Sequence, residues 1–239
     1  MALSPELVAR VRRVVANPGP DSDFETYSDE DYDTIAQTIL ASHAPSQDAW
    51  FFAYGSLIWN PVAGHVEQRI GIARGWHRSF GLRLTLWRGT KDQPGLMMVL
   101  DRGGQCQGIL YRLAAETLEA QLGKLLRREM PLKPAQKQPT NVPRWITVET
   151  AQGPIRAITF VANPKGANYV GRLPLEQVVD MLAKACGHGG SCAEYLYNTV
   201  LHLEEHGIRD HYLWRLQALV ADRIAALPTL SGGSDVMSG

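Results

Sequence analysis

The sequence predicts an α+β fold in which helices flank a mixed curved sheet or a small β-barrel. Short apolar runs separated by glycines fill residues 50–113, a pattern that is typical of strands. Apolar residues at helical spacing dominate the C-terminal third of the chain. Because strands and helices are grouped along the chain rather than alternating, a regular βαβ fold is not expected.

Residues 1–48 are predicted to form an N-terminal helical extension. Ser4 followed by Pro5 is typical of a helix start, and a second helix is predicted from about Ser28 to Ser42. The extension is acidic, since residues 21–33 hold seven acids and no base, whereas residues 69–91 hold six Arg or Lys and no acid. Such runs indicate either solvated faces or a cleft for an anionic small molecule. The extension is expected to cover an edge of the basic surface.

The main domain is predicted to span residues 49–228 and to open with FFAYGSLIWNP, residues 51–61. The aromatic residues indicate a buried strand that stops at Tyr54-Gly55-Ser56. On the residues alone, this is either a plain turn capped by Ser56 or a turn whose backbone N–H groups bind a ligand. The runs HVEQRIGIA, SFGLRLTLW, GLMMVL and QCQGILYRL are predicted as further short strands.

The helix predicted in AETLEAQLGKLLRREM places one carboxylate on its apolar face. At about 100° per residue, Leu118, Leu122, Leu125 and Glu129 share that face. An ionised carboxylate is costly to bury without partners. Glu129 is therefore expected to meet a cation, to emerge at the helix end, or to have a raised pKa that suits a general base or acid.

The remaining elements are a hairpin, three helices and a tail. WITVET and IRAITFVA predict a β-hairpin. LEQVVDMLAKAC, CAEYLYNTVLHLEEH and DHYLWRLQALVADRIAAL predict helices, the last with Asp210 near its cap, and residues 229–239 predict a flexible tail. The segment CGHGGSC, residues 186–192, lacks a paired C-x-x-C for zinc, and the chain has no G-x-S-x-G esterase motif. A glycine-rich connector is the favoured interpretation.

Composition narrows the class of protein. The chain has 45% hydrophobic and 20% charged residues, a composition that excludes the disordered and collagen-like classes. Twenty-four basic residues balance 24 acidic ones, so neither nucleic acid nor a membrane surface is an expected partner. No run approaches the roughly 18 apolar residues of a membrane helix, and the N-terminus lacks the order of a secretory signal. A cytoplasmic location with reduced cysteines is expected.

Several segments resemble, in the same order, the ChaC-like family of glutathione-specific γ-glutamylcyclotransferases. They are FFAYGSLIWNP, a stretch from GWHRSF to ILYRL, LLRREM, and a stretch from ANYVGRL to DHYL, and they span about residues 50–213. The resemblance implies a γ-glutamylcyclotransferase-like fold. It also implies cleavage of glutathione to 5-oxoproline and cysteinylglycine with no metal or nucleotide cofactor.

The resemblance further implies the site residues. The family's catalytic glutamate, in an Arg-Glu pair, matches Arg128-Glu129, and its glycine-containing turn matches residues 54–57. Ala53 stands where many members have Gly. Glu129 is the predicted general base for attack of the α-amine on the γ-carbonyl, and the turn supplies N–H groups for the oxyanion. The predicted substrate-binding residues are Phe52, Ala53, Tyr54, Gly55, Ser56, Leu57 and Tyr169.

Some assignments stay open at this point. Arg78 and Arg88 are candidates for offsetting the substrate carboxylates, without a ranking between them. The substrate is glutathione or another γ-glutamyl compound. A different class of function is a non-catalytic binding module of the same fold that regulates a membrane transporter. A Glu129 retained beside an intact turn argues against that module, because a binder has no need of a buried base.

Overall fold

The fold is given by a computed structural model, which describes residues 1–19, 24–135 and 138–228. Strands close into a five-stranded barrel, and helices pack around it. The predicted α+β class with a small barrel is confirmed. The tail predicted for residues 229–239 lies outside the described residues.

The helices and strands have the following bounds. The helices are α1 (Pro5–Val11), α2 (Asp29–Leu40), α3 (Leu118–Glu129), α4 (Leu175–Lys184), α5 (Cys192–Glu205) and α6 (His211–Ala225). The strands are β1 (Phe24–Glu25), β2 (Ala49–Ala53), β3 (Glu67–Leu84), β4 (Gly95–Leu113), β5 (Lys133–Pro134), β6 (Asn141–Thr150), β7 (Gly153–Ala162), β8 (Cys186–Gly187) and β9 (Gly190–Ser191). Short 3-10 turns cover Ser56–Ile58 and Ala115–Thr117.

The barrel has the strand order β2-β4-β3-β6-β7 and closes where β7 pairs with β2. That closing pair is parallel, while the other neighbours are antiparallel. Phe52 faces Leu110 across the β2–β4 pair, and both side chains are fully buried. Because β2 has a partner on each side, the point where it ends is fixed in space. The predicted turn begins there.

The two longest strands differ from their prediction as separate short runs. β3 has 18 residues and β4 has 19, so each joins two of the predicted runs. The pairing shifts register between Arg74 and Trp76 and again between Ser79 and Leu82. Gly75, at φ 77°, lies in the first shift. Bulges of this kind bend a strand without ending it, which lets a long strand follow a barrel.

The C-terminal helices and the β6–β7 hairpin follow the prediction. Asp210 caps α6 by accepting a hydrogen bond from the Leu213 N–H. Ser191 caps α5, which packs on the 3-10 turn after β2. Within the described ranges, no helix combines the length and apolarity required to cross a bilayer.

The segment of residues 186–192 forms the β8–β9 hairpin, as its glycines favour. Gly190 adopts φ 107°, a conformation that suits glycine. Cys106, Cys186 and Cys192 are all free and buried in the structure. Among the residues that the structure describes, no group of three His, Cys, Asp or Glu side chains could hold a metal ion.

The N-terminal extension packs directly onto the rest of the chain. Its helices begin at the predicted caps, Ser4 for α1 and Ser28 for α2. Leu3 is fully buried, and its N–H donates to Oε1 of Gln217 at 2.7 Å. α1 lies against α5 and α6, and α2 lies against α3. The boundary at residue 48 stays a prediction.

Candidate active site

A cavity of about 470 Å³ lies beside the end of β2. Its walls include the end of β2 and the following turn, the end of β3 and the residues after it, the start of β4, the end of α3, the start of β6 and the start of α5. The structure brings together most of the predicted site in this cavity: Phe52, Ala53, Tyr54, Gly55, Ser56, Leu57 and Glu129.

The turn after β2 presents backbone donors to the cavity. Ser56–Ile58 forms a 3-10 turn with Gly55 as its N-cap, and the Ile58 N–H donates to the Gly55 carbonyl at 2.9 Å. N–H groups at the start of a helical turn have no partner within it, so they are free for other acceptors. A Cβ on Gly55 would lie 3.0 Å from the Tyr195 hydroxyl. A larger residue here would require the Tyr195 hydroxyl to shift by a few tenths of an ångström, so glycine permits the close approach.

Arg78 fastens the turn from inside the protein. Its side chain is 1% exposed, and its Nε donates to the Tyr54 carbonyl at 2.6 Å. Nη1 pairs with Asp210 at 3.0 Å, and Nη2 donates to the Gln107 carbonyl. The structure therefore does not support Arg78 as a ligand of the substrate carboxylates, because its donors are used internally.

Glu129 is the last residue of α3 and lies on the buried face, as predicted. Leu118, Leu122 and Leu125 are buried on the same helix, and the Glu129 side chain is 17% exposed. Desolvation raises the pKa of Glu129 to about 7, although the nearby Arg128 guanidinium acts to lower it. Of the outcomes considered from the sequence, a raised pKa and a neighbouring cation both occur.

Two hydrogen bonds connect Glu129 and its neighbour to other walls of the cavity. Asn141 Nδ2 donates to Glu129 Oε2 at 3.3 Å, and Arg128 Nη2 donates to Ser56 Oγ at 3.3 Å. Glu129 Oε1 is 3.9 Å from Arg128 Nε. The Arg128–Ser56 contact joins the end of α3 to the turn, so that the carboxylate and the backbone donors share one site.

Tyrosines complete the surroundings of the carboxylate. Burial raises the pKa of both Tyr54 and Tyr195, and the charge of Glu129 raises each further. Such an effect requires Glu129 to lie near both hydroxyls. The Ser56 N–H faces the Tyr195 oxygen. The turn, Glu129 and Tyr195 therefore form one cluster.

Sequence reasoning missed Tyr195 and Asn141 as site residues. Each belongs to an element far along the chain from the turn, and neither stands in a motif that would single it out. Arg88, one of the basic candidates, does line the cavity. Its Nη1 donates to the Ser191 carbonyl at 2.8 Å and to Glu194 Oε2 at 3.0 Å.

Tyr169 is the predicted substrate-binding residue that the structure places elsewhere. Its hydroxyl donates to Asp101 Oδ2 at 2.6 Å, and its backbone bridges to Leu82. The neighbouring residues Ala167 and Asn168 line the cavity, whereas Tyr169 is not among the described residues that line it. The structure therefore does not bring Tyr169 together with the other predicted site residues, and its contact with the substrate stays a prediction.

Comparison with known proteins agrees with this geometry. The family model described as ChaC-like protein matches residues 49–223. A glutathione-specific γ-glutamylcyclotransferase of Escherichia coli K12 is 37% identical over 172 residues, which cover 72% of each chain. The human glutathione-specific γ-glutamylcyclotransferase 1 is 31% identical over 153 residues, covering 63% of this chain and 67% of the human one.

A solved structure shows the same fold. The glutathione-specific γ-glutamylcyclotransferase from yeast superposes with a TM-score of 0.65 at 19% identity, covering 74% of this chain and 96% of the yeast chain. The predicted γ-glutamylcyclotransferase-like fold is therefore confirmed. With the match to the family model over most of its length, the chain belongs to the ChaC-like family.

Proposed function

We propose that this protein is a glutathione-specific γ-glutamylcyclotransferase, acting in the cytoplasm, that converts glutathione to 5-oxoproline and cysteinylglycine. One observation carries the proposal. Glu129, a buried carboxylate whose pKa is raised to about 7, shares a cavity with the backbone of the turn at residues 55–57. The names of the relatives from Escherichia coli and human support the same reaction.

Glu129 acts as the base and then as the acid. Its carboxylate takes a proton from the α-amine of the γ-glutamyl group as the nitrogen attacks the γ-carbonyl carbon. A C–N bond of the ring forms, the C–N bond to cysteine breaks, and the proton passes to the departing cysteine nitrogen. Because both reacting groups belong to one molecule, holding it curled gives effective molarities of about 10⁵ M or more.

Backbone donors stabilise the charge that develops on the γ-carbonyl oxygen. The N–H groups of Gly55 and Leu57 are the direct donors in this scheme, while the Ser56 N–H acts through the Tyr195 oxygen that it faces. The Tyr195 hydroxyl faces the Ser56 N–H and can donate its proton to the same oxygen. Arg88 and Arg128, both lining the cavity, offset the negative charge of the substrate carboxylates.

The decisive experiment supplies glutathione and γ-glutamylalanine to the purified protein with no added metal. Release of cysteinylglycine and 5-oxoproline from glutathione, at a kcat/KM at least about tenfold above that for γ-glutamylalanine, is the expected result. Comparable use of both compounds would replace the glutathione-specific assignment with a broader cyclotransferase. Cleavage of neither would favour the regulatory binding module.

The pH dependence of kcat/KM should report the ionisation of Glu129. The base must be deprotonated, so kcat/KM is expected to rise with pH through about 7, the pKa of Glu129. Asn141 donates a hydrogen bond to the charged form of Glu129. Asn141→Leu should therefore raise the midpoint of this ascending limb of the kcat/KM profile by about one pH unit. The exposed Asn60→Leu variant serves as the control. An unshifted limb in Asn141→Leu would show that the amide does not tune Glu129.

A further inference from the structure

We propose that the N-terminal extension forms part of the substrate site and that Phe24 sets the preference for the group attached to the γ-carbonyl. The inference rests on the proposed function. Phe24 lines the same cavity as Glu129 and the turn. The family match begins only at residue 49, so Phe24 lies outside it.

Backbone pairing places Phe24 against the segment that follows Glu129. β1 pairs with β5 antiparallel, with Phe24 opposite Pro134 and Glu25 opposite Lys133. Only three residues separate Glu129 from Lys133 along the chain. The extension therefore adds a second strand to the very stretch of chain that leaves the catalytic helix.

Side chains of α2 fasten the same stretch. The buried Tyr32 donates its hydroxyl to the Met130 carbonyl at 2.9 Å. Asp31 pairs with Lys133 at 3.1 Å, and Asp29 pairs with Arg127 at 2.5 Å. These ion pairs place acidic residues of the extension against Arg127 and Lys133, and the covering of the basic run at residues 69–91 stays a prediction. The buried Tyr32 hydrogen bond is the stronger restraint, because exposed ion pairs contribute little.

The chemistry of the walls indicates which part of the substrate reaches Phe24. Glu129, Arg128 and the turn give one region of the cavity its polar groups. Phe24 is paired with Pro134, and the segment between Glu129 and this pair adds the apolar lining residues Met130, Pro131 and Leu132. The γ-glutamyl group, with its amine and carboxylate, requires the polar region. The cysteinyl side chain is left for the apolar wall, where its sulfur can contact an aromatic ring favourably.

The test compares glutathione with γ-glutamylalanylglycine, which differs from it only in lacking the thiol. In Phe24→Ala, the preference for glutathione in kcat/KM should fall about fivefold to tenfold relative to the wild type, mainly through KM. Val14→Ala, a fully exposed change in the same extension, should leave the preference unaltered. Phe24→Leu keeps the apolar bulk and so controls for misfolding. Its preference for glutathione should lie between that of the wild type and that of Phe24→Ala.

Binding of both tripeptides, measured by calorimetry beside turnover, separates this inference from the proposed function. A binding preference that Phe24→Ala removes supports the inference even if neither tripeptide is cleaved, and in that case only the proposed function fails. Turnover of glutathione with an unchanged preference in Phe24→Ala, or an equal loss for both tripeptides, would overturn the inference alone. A wild-type protein that binds neither tripeptide overturns both.

Discussion

Replacing Glu129 by Gln is expected to lower kcat for glutathione by roughly 10²- to 10⁴-fold while the barrel stays folded. An amide of nearly the same size cannot accept the proton of the α-amine. The hydrogen bond from Asn141 and the Leu stripe of α3 can remain, because the amide keeps an acceptor oxygen. Steady-state release of cysteinylglycine, with circular dichroism on the same sample, measures both parts of the expectation.

Glu119→Gln is the matched control, since Glu119 lies on the same helix but is exposed. It should leave both turnover and folding near wild type. A Glu129→Gln protein that turns over glutathione at the wild-type rate would remove the general base from the mechanism. A variant that loses activity only together with its circular dichroism signal would contradict the expectation of an intact fold.

Stability should change in the opposite direction to activity. Burial raises the pKa of Glu129 from its ordinary 4.5 to about 7, so the folded state binds this proton more tightly than the unfolded state. Wild-type stability therefore falls as pH rises through this interval, and Gln has no such dependence. Urea unfolding should show Glu129→Gln more stable than wild type by roughly 3 kcal/mol above pH 7, with little difference near pH 4.5.

The inward position of Glu129 could be predicted because one helix determines it. Helical geometry relates Glu129 to Leu118, Leu122 and Leu125 without reference to any other element. The capped starts of the helices are local in the same sense: Ser4, Ser28 and Asp210 each act within a few residues. The turn at Gly55 was also visible, since an apolar strand ends there.

The remaining site residues depend on pairings between distant segments. Tyr195 and Asn141 reach Glu129 only because the barrel and α5 bring them there, and no local pattern specifies that arrangement. Phe24 depends on the β1–β5 pairing in the same way. The direction of the Arg78 side chain depends on strand register, which bulges in β3 change, so the residue type alone could not place it.

Arg78→Met is expected to destabilise the protein by about 3–5 kcal/mol. The guanidinium is almost fully buried and satisfies Asp210 and two carbonyls, those of Tyr54 and Gln107. Methionine fills similar space but removes the donors that the guanidinium supplies to these acceptors. Since one of them belongs to the turn, glutathione turnover should fall even below the unfolding temperature. Thermal and urea unfolding measure the loss of stability. Turnover is then measured about 20 degrees below the melting temperature of the variant, a margin that keeps the variant folded.

Arg74→Met on the same strand is the matched control. Arg74 pairs with Glu149, but the two side chains are 62% and 50% exposed, so the loss should be below about 1 kcal/mol. Adding Asp210→Asn to Arg78→Met should recover part of the stability, because it removes the uncompensated carboxylate while the cap of α6 can persist. If Arg78→Met proved as stable as Arg74→Met, the buried guanidinium would not be what secures the turn, and the placement of the oxyanion donors would need another explanation.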